Sequence, residues 1–129
     1  MTTNRAGPAP TRLTIPAAVP GELGRSVYSS DTGVVTGTGH GRAPKANISY
    51  SVEGACASTT TGTRFVSYRV VDGQDATQVV SSGTIQCNSD GLTINGAFDA
   101  SPSPRPVTVS LDDSFNGVTT AFVMLAPTP

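Results

Sequence analysis

Arg64-Phe65-Val66-Ser67-Tyr68-Arg69-Val70-Val71-Asp72-Gly73 decides the fold class. Val66, Tyr68 and Val70 fall at every second position, with Phe65 and Val71 on the other side. Side chains alternate between the two faces of a strand, so this two-residue apolar period marks a half-buried β-strand. Asp72–Gly73 closes the run with a strong hairpin turn signal.

The same period recurs outward from this segment. Upstream, Ile48, Tyr50 and Val52 share one face of a strand, and Glu53–Gly54 reads as a break before Cys56. Downstream, Thr77–Cys87 is a strand with a bulge expected at Ser82–Gly83. Leu92, Ile94 and Phe98 mark the next strand, and Ser101–Pro102–Ser103–Pro104 makes a linking loop. Val107, Val109 and Leu111 alternate, Asp112–Asp113–Ser114 turns the chain, and Val118–Leu125 is the final strand. Toward the N-terminus, Thr11–Pro16 reads as an edge strand carrying Leu13 and Ile15, ended by Pro16. Val27–Tyr28 and Val34–Val35–Thr36 are short strands around the Ser29–Gly33 turn, and Gly37–Pro44 is a loop.

No helical period of useful length occurs. The expected fold is all-β: a two-sheet antiparallel β-sandwich of seven or eight strands, immunoglobulin-like or jelly-roll-like. The immunoglobulin hallmark Trp is absent, and no Tyr lies two residues before Cys87, which disfavours a true immunoglobulin domain. The expected core is Ile48, Tyr50, Val52, Val66, Val70, Ile85, Leu92, Ile94, Val107, Val109, Phe122 and Leu125. Residues 1–10 read as a disordered leader, since Pro and small polar residues bury too little apolar surface. Residues 11–129 form a single domain.

Charged residues make up only 13% of the chain, about half the usual share, so the expected surface is rich in hydroxyls rather than ions. The net charge of −1 and the scattered arginines give no basic patch for nucleic acid. No apolar stretch approaches the roughly 20 residues that span a bilayer as a helix. Met1–Pro10 has no hydrophobic region and is not itself a signal peptide.

Cys56 and Cys87 each sit where a strand meets a turn. An even cysteine count in a short Thr/Ser-rich β sequence predicts a disulfide made in an oxidising compartment, and hence export with the signal removed; the other reading is a cytoplasmic chain with reduced thiols. The bridge would contribute roughly 3–4 kcal/mol by the chain-entropy relation.

Tyr50-Ser51-Val52-Glu53-Gly54-Ala55-Cys56, Val66-Ser67-Tyr68-Arg69-Val70-Val71-Asp72, Ser82-Gly83-Thr84-Ile85-Gln86-Cys87 and Thr120-Ala121-Phe122-Val123-Met124-Leu125-Ala126 together resemble small exported β-sandwich domains of actinobacteria, of the secreted or lipoprotein type. The resemblance covers about three-fifths of the chain. It implies export to the cell envelope and carries no catalytic motif.

Residues able to support chemistry are few. His40 is the only histidine and lies between Gly39 and Gly41, where nothing holds an imidazole in place for catalysis. Gly37–Gly41 lacks the spacing of a nucleotide-binding loop. Most carboxylates lie beside Gly, Ser or Asn, where Asp caps turns through its own backbone. Asp72–Asp75 and Asp112–Asp113 offer hard oxygens for calcium without an EF-hand pattern. Tyr28, Tyr50 and Tyr68 suggest a sugar platform, against a simpler reading as core aromatics.

The sequence therefore assigns no catalytic residue, no cofactor and no metal site. The sites are the Cys56–Cys87 disulfide and the candidate ligand-binding residues Tyr28, Asp72 and Asp75. The expected function is a non-catalytic exported cell-envelope module, structural or protein-binding. The alternative is a carbohydrate-binding module, with or without calcium. The expected partner is a protein or a cell-wall glycan, with no nucleic acid and no membrane span.

Overall fold

The computed structural model describes residues 13, 15–38, 44–59, 62–89, 92–99, 106–112 and 114–128. Eight strands occur there: β1 Gly24–Ser29, β2 Val34–Thr38, β3 Ser49–Ser58, β4 Phe65–Asp72, β5 Asp75–Gln86, β6 Thr93–Asp99, β7 Val107–Leu111 and β8 Val118–Pro127. They form a five-stranded sheet, β2-β1-β8-β3-β6, and a three-stranded sheet, β5-β4-β7. Every strand pairing is antiparallel. The connections β3–β4, β5–β6, β6–β7 and β7–β8 each pass from one sheet to the other.

The two sheets face each other across one core. Tyr50, Val52, Val123 and Leu125 from the larger sheet meet Val66, Tyr68, Val70, Ile85 and Val109 from the smaller. Tyr68 is 1% exposed, and its ring lies over Gly83, its cross-strand partner. A Cβ at Gly83 would come 2.6 Å from the tyrosine oxygen, so only glycine leaves room for the ring. The hydroxyl is satisfied from the opposite sheet: Asn95 Nδ2 donates to Tyr68 Oη at 3.1 Å and to the Thr84 carbonyl at 3.0 Å. A buried tyrosine thus finds its polar partner, and β5 is tied to β6 along one side of the sandwich.

Gly83 was expected to mark a bulge. The register instead slips nearer the hairpin, where Val70 faces Ser81 and Val71 faces Val79, leaving Val80 as the extra residue. Glu53–Gly54 is likewise no break, since β3 runs through both positions. Thr11–Pro16 forms no strand in its described part, because Leu13, Ile15 and Pro16 pair with no neighbour in a sheet. Leu13 and Ile15 instead lie as a strap against Ala55, Phe122 and Met124 on the outer face of the five-stranded sheet.

Nine of the twelve expected core residues are buried. Ile48 is half-buried and packs against the core. Leu92 and Ile94 are the correction, at 46% and 52% exposed. In the ladder Val52 faces Asn95, so Asn95 takes the inner side of β6 and Ile94, opposite Glu53, takes the outer. The buried tyrosine hydroxyl needed a donor, and Asn95 on the core side supplies it. That choice turns Leu92 and Ile94 outward.

The loops 39–43 and 100–105 and the leader 1–10 fall outside the described residues, and His40 and Asp113 with them.

Candidate functional site

The disulfide sits at one end of the sandwich. Cys56 is in β3 and Cys87 directly follows β5, so the bond joins the two sheets, with 4.3 Å between Cα atoms. Around it the backbones pair: Asn88 N–H donates to the Cys56 carbonyl and Cys87 N–H to the Arg64 carbonyl, both at 2.8 Å. Asn88 adopts φ +59°, a left-handed conformation that asparagine tolerates better than most residues. Its side chain accepts from Ser58 N–H at 3.0 Å and donates to the Ser58 carbonyl at 3.1 Å, replacing a missing neighbour strand.

The three candidate ligand-binding residues do not converge. Tyr28 pairs with Ala121 near the start of β8, whereas Asp72 pairs with Val107 at the start of β7. Because β7 runs directly into β8 through residues 112–117, these are opposite ends of the molecule. Tyr28 is stacked on Phe115, with ring centroids 4.1 Å apart and planes 3° apart, so one ring face is covered. Asp72 and Asp75 shape the β4–β5 turn: Gln74 N–H donates to Asp72 Oδ1 at 2.8 Å, and Thr77 donates to Asp75 Oδ1 through its N–H at 3.0 Å and its hydroxyl at 2.6 Å. Both carboxylates are thus engaged as Asx-type turn formers. Asp112 pairs with Arg69 at 3.1 Å on the surface.

At the hairpin end, Pro20, Leu23, Ile48, Tyr50 and Pro127 line a cleft of about 390 Å³. Its charged wall residues are Lys45 and Glu22, and Glu22 is held bidentately by Arg25, Oε2 to Nε at 2.8 Å and Oε1 to Nη2 at 2.7 Å. Hydrogen bonding to Glu22 raises the Arg25 pKa despite the cost of burial. The arginine therefore stays charged, and its share of the pair's stability is lost only in strong alkali as pH rises through that raised value. Arg25 Nη1 also donates to the Pro16 carbonyl, so the pair fastens the strap to β1.

The outer face of the five-stranded sheet is a further candidate surface, one the residue pattern alone did not point to. Register places Arg25, Met124, Glu53 and Ile94 in one row across β1, β8, β3 and β6. The next row holds Val27, Phe122 and Ala55, and Leu92, just before β6, continues the side of Ile94. The strap roofs the β1–β8 half of these rows. The β6 half is open. Beside Ile94 lies a shallow depression of about 470 Å³ lined by Ser49, Tyr50, Ser51, Gly96, Ala97 and Thr128. A Cβ added at Gly96 would meet nothing within 4 Å, so the floor is clear there. Ser51 and Thr128 close its far wall through a 2.7 Å hydroxyl pair. The side chain of Glu53, half-buried between Met124 and Ile94, makes no hydrogen bond or ion pair among the described residues. The available signal was Asn95 itself: a polar residue between Ile94 and Gly96 that a buried hydroxyl would recruit inward.

Among the described residues no group of three His, Cys, Asp or Glu side chains is placed to hold a metal ion. Among the described residues no helix is long and apolar enough to cross a membrane. No protein-family model matches the chain, and neither a curated protein nor a solved structure does.

Proposed function

We propose that this chain is an exported, non-catalytic cell-envelope module that works by binding protein, of the kind it resembles among actinobacterial secreted sandwiches. The carrying observation is the uncovered pair Leu92 and Ile94, in rows continuous with an apolar face that the strap already roofs. Exposed single apolar residues are ordinary, but a face apolar enough to need a roof on one half, and left bare on the other, is what interaction surfaces show. The disulfide supports an oxidising compartment. Asp72, Asp75 and Glu22, held by turn amides or by Arg25, support a reading without acid–base chemistry.

Residues kept for binding should contribute little to folding. Leu92→Ser and Ile94→Ser are each expected to change the unfolding free energy by less than about 0.5 kcal/mol. Urea denaturation of the single and double variants checks this. A loss above about 1.5 kcal/mol in the double variant would make the pair structural and remove the basis for the reading.

A further inference from the structure

We infer that the open half of this face receives an extended polypeptide segment carrying two apolar side chains at alternate positions and a basic side chain beside them. The inference rests on the protein-binding reading above and names the chemistry of the partner. Three observations lead to it.

The first is continuity with a contact already made. On the covered half, the occupant is a chain segment outside the sheet, presenting Leu13 and Ile15, two positions apart, to Phe122, Met124 and Ala55. The open half continues the same rows through Glu53 to Ile94, so the same kind of occupant fits it. An extended segment projects alternate side chains to one side, which matches a pair of apolar anchors spaced like Leu92 and Ile94.

Charge is the second. Glu53 stands among Met124 and Ile94 with no ion-pair partner in the described chain. Covering it with an apolar segment would strand a carboxylate, which is costly, whereas a Lys or Arg on the segment would pair with it. A neutral or acidic segment is thereby selected against.

Shape is the third. The depression beyond Ile94, with Gly96 on its floor and the hydroxyls of Ser51 and Thr128 at its edge, has room for the backbone of such a segment to continue past the anchors.

The test uses the whole chain, isotope-labelled and oxidised, titrated with a synthetic hexapeptide copied from residues 11–16, Thr-Arg-Leu-Thr-Ile-Pro, which has the required basic and alternating apolar pattern. Expected are saturable amide shifts centred on Glu53, Leu92, Ile94 and Gly96. Glu53→Gln in the protein, or Glu for Arg in the peptide, should each weaken binding at least fivefold. Leu92→Ser with Ile94→Ser should abolish it. Shifts confined to Val27, Phe122 and Met124 would mean that the peptide merely displaces the resident strap, and would overturn the inference. So would equal binding by the Glu-substituted peptide, or no shift at millimolar peptide. Concentration-dependent shifts at the same residues without peptide would assign the face to a second copy of the chain instead. In each of these cases the protein-binding reading stands or falls separately, on the stability of the serine variants.

Discussion

Replacing Cys56 and Cys87 together by Ala is expected to lower the unfolding free energy by roughly 3–4 kcal/mol. The bridge spans 31 residues of sequence, and the loop-closure entropy it removes from the unfolded chain sets that size. The consequence is large because domains of this kind are stable by only about 5–15 kcal/mol, and this core has no Trp and few aromatics. The bond also joins β3 to the end of β5, two strands in different sheets. Urea titration of the oxidised protein and the double variant measures the effect. A loss below about 1 kcal/mol would mean that Asn88 and the paired backbones hold that end closed by themselves.

Gly54→Ala is expected to be comparably damaging, at about 3 kcal/mol, the upper end of the range for overpacking. A Cβ at position 54 would stand 2.4 Å from the Phe122 carbonyl oxygen, 3.0 Å from Val123 Cγ1 and 3.2 Å from Ile85 Cδ1. The first of these is backbone of the neighbouring strand, which cannot step aside without breaking the β3–β8 ladder. Gly96→Ala is the matched control, since its added methyl meets open space and should cost nothing measurable. Thermal melts of the two variants side by side separate a packing requirement from a general intolerance of glycine replacement. Equal stability of both would contradict the close approach of β3 and β8.

Both results bear on what could be read from the residues alone. The fold class was legible because Val66, Tyr68 and Val70, and likewise Val107, Val109 and Leu111, keep a two-residue period that only a half-buried strand explains. The disulfide was legible from the even cysteine count, although Cys56 lies within β3 and only Cys87 falls at a strand end. Gly54 was misread as a break, because a glycine demanded by a close backbone approach looks the same in sequence as one demanded by a turn. Leu92 and Ile94 were misassigned for a related reason. Period fixes that alternate residues share a face, but not which face is inside, and on β6 that is settled by the Asn95 bond to Tyr68 from the other sheet. The strap was legible as an apolar pair at Leu13 and Ile15 but not as a roof, since an edge strand and an unpaired covering segment carry the same pattern.

The candidate site was mostly illegible. Tyr28, Asp72 and Asp75 were chosen for their chemistry, and the structure gives them a stacking partner and turn amides at opposite ends of the molecule. Glu53 reads in sequence only as part of a break before Cys56, because its isolation among apolar neighbours arises only when β3, β6 and β8 lie side by side.

That the open half of the five-stranded sheet is the working surface is tested most directly by a photo-cross-linking residue at position 94 of the oxidised protein, irradiated in the cells that produce it. The same residue at position 84, exposed on the three-stranded sheet, is the control. The expected result is a discrete protein adduct from position 94 that weakens on Glu53→Gln, with none from position 84. Adducts from both positions alike, or from neither, would contradict it.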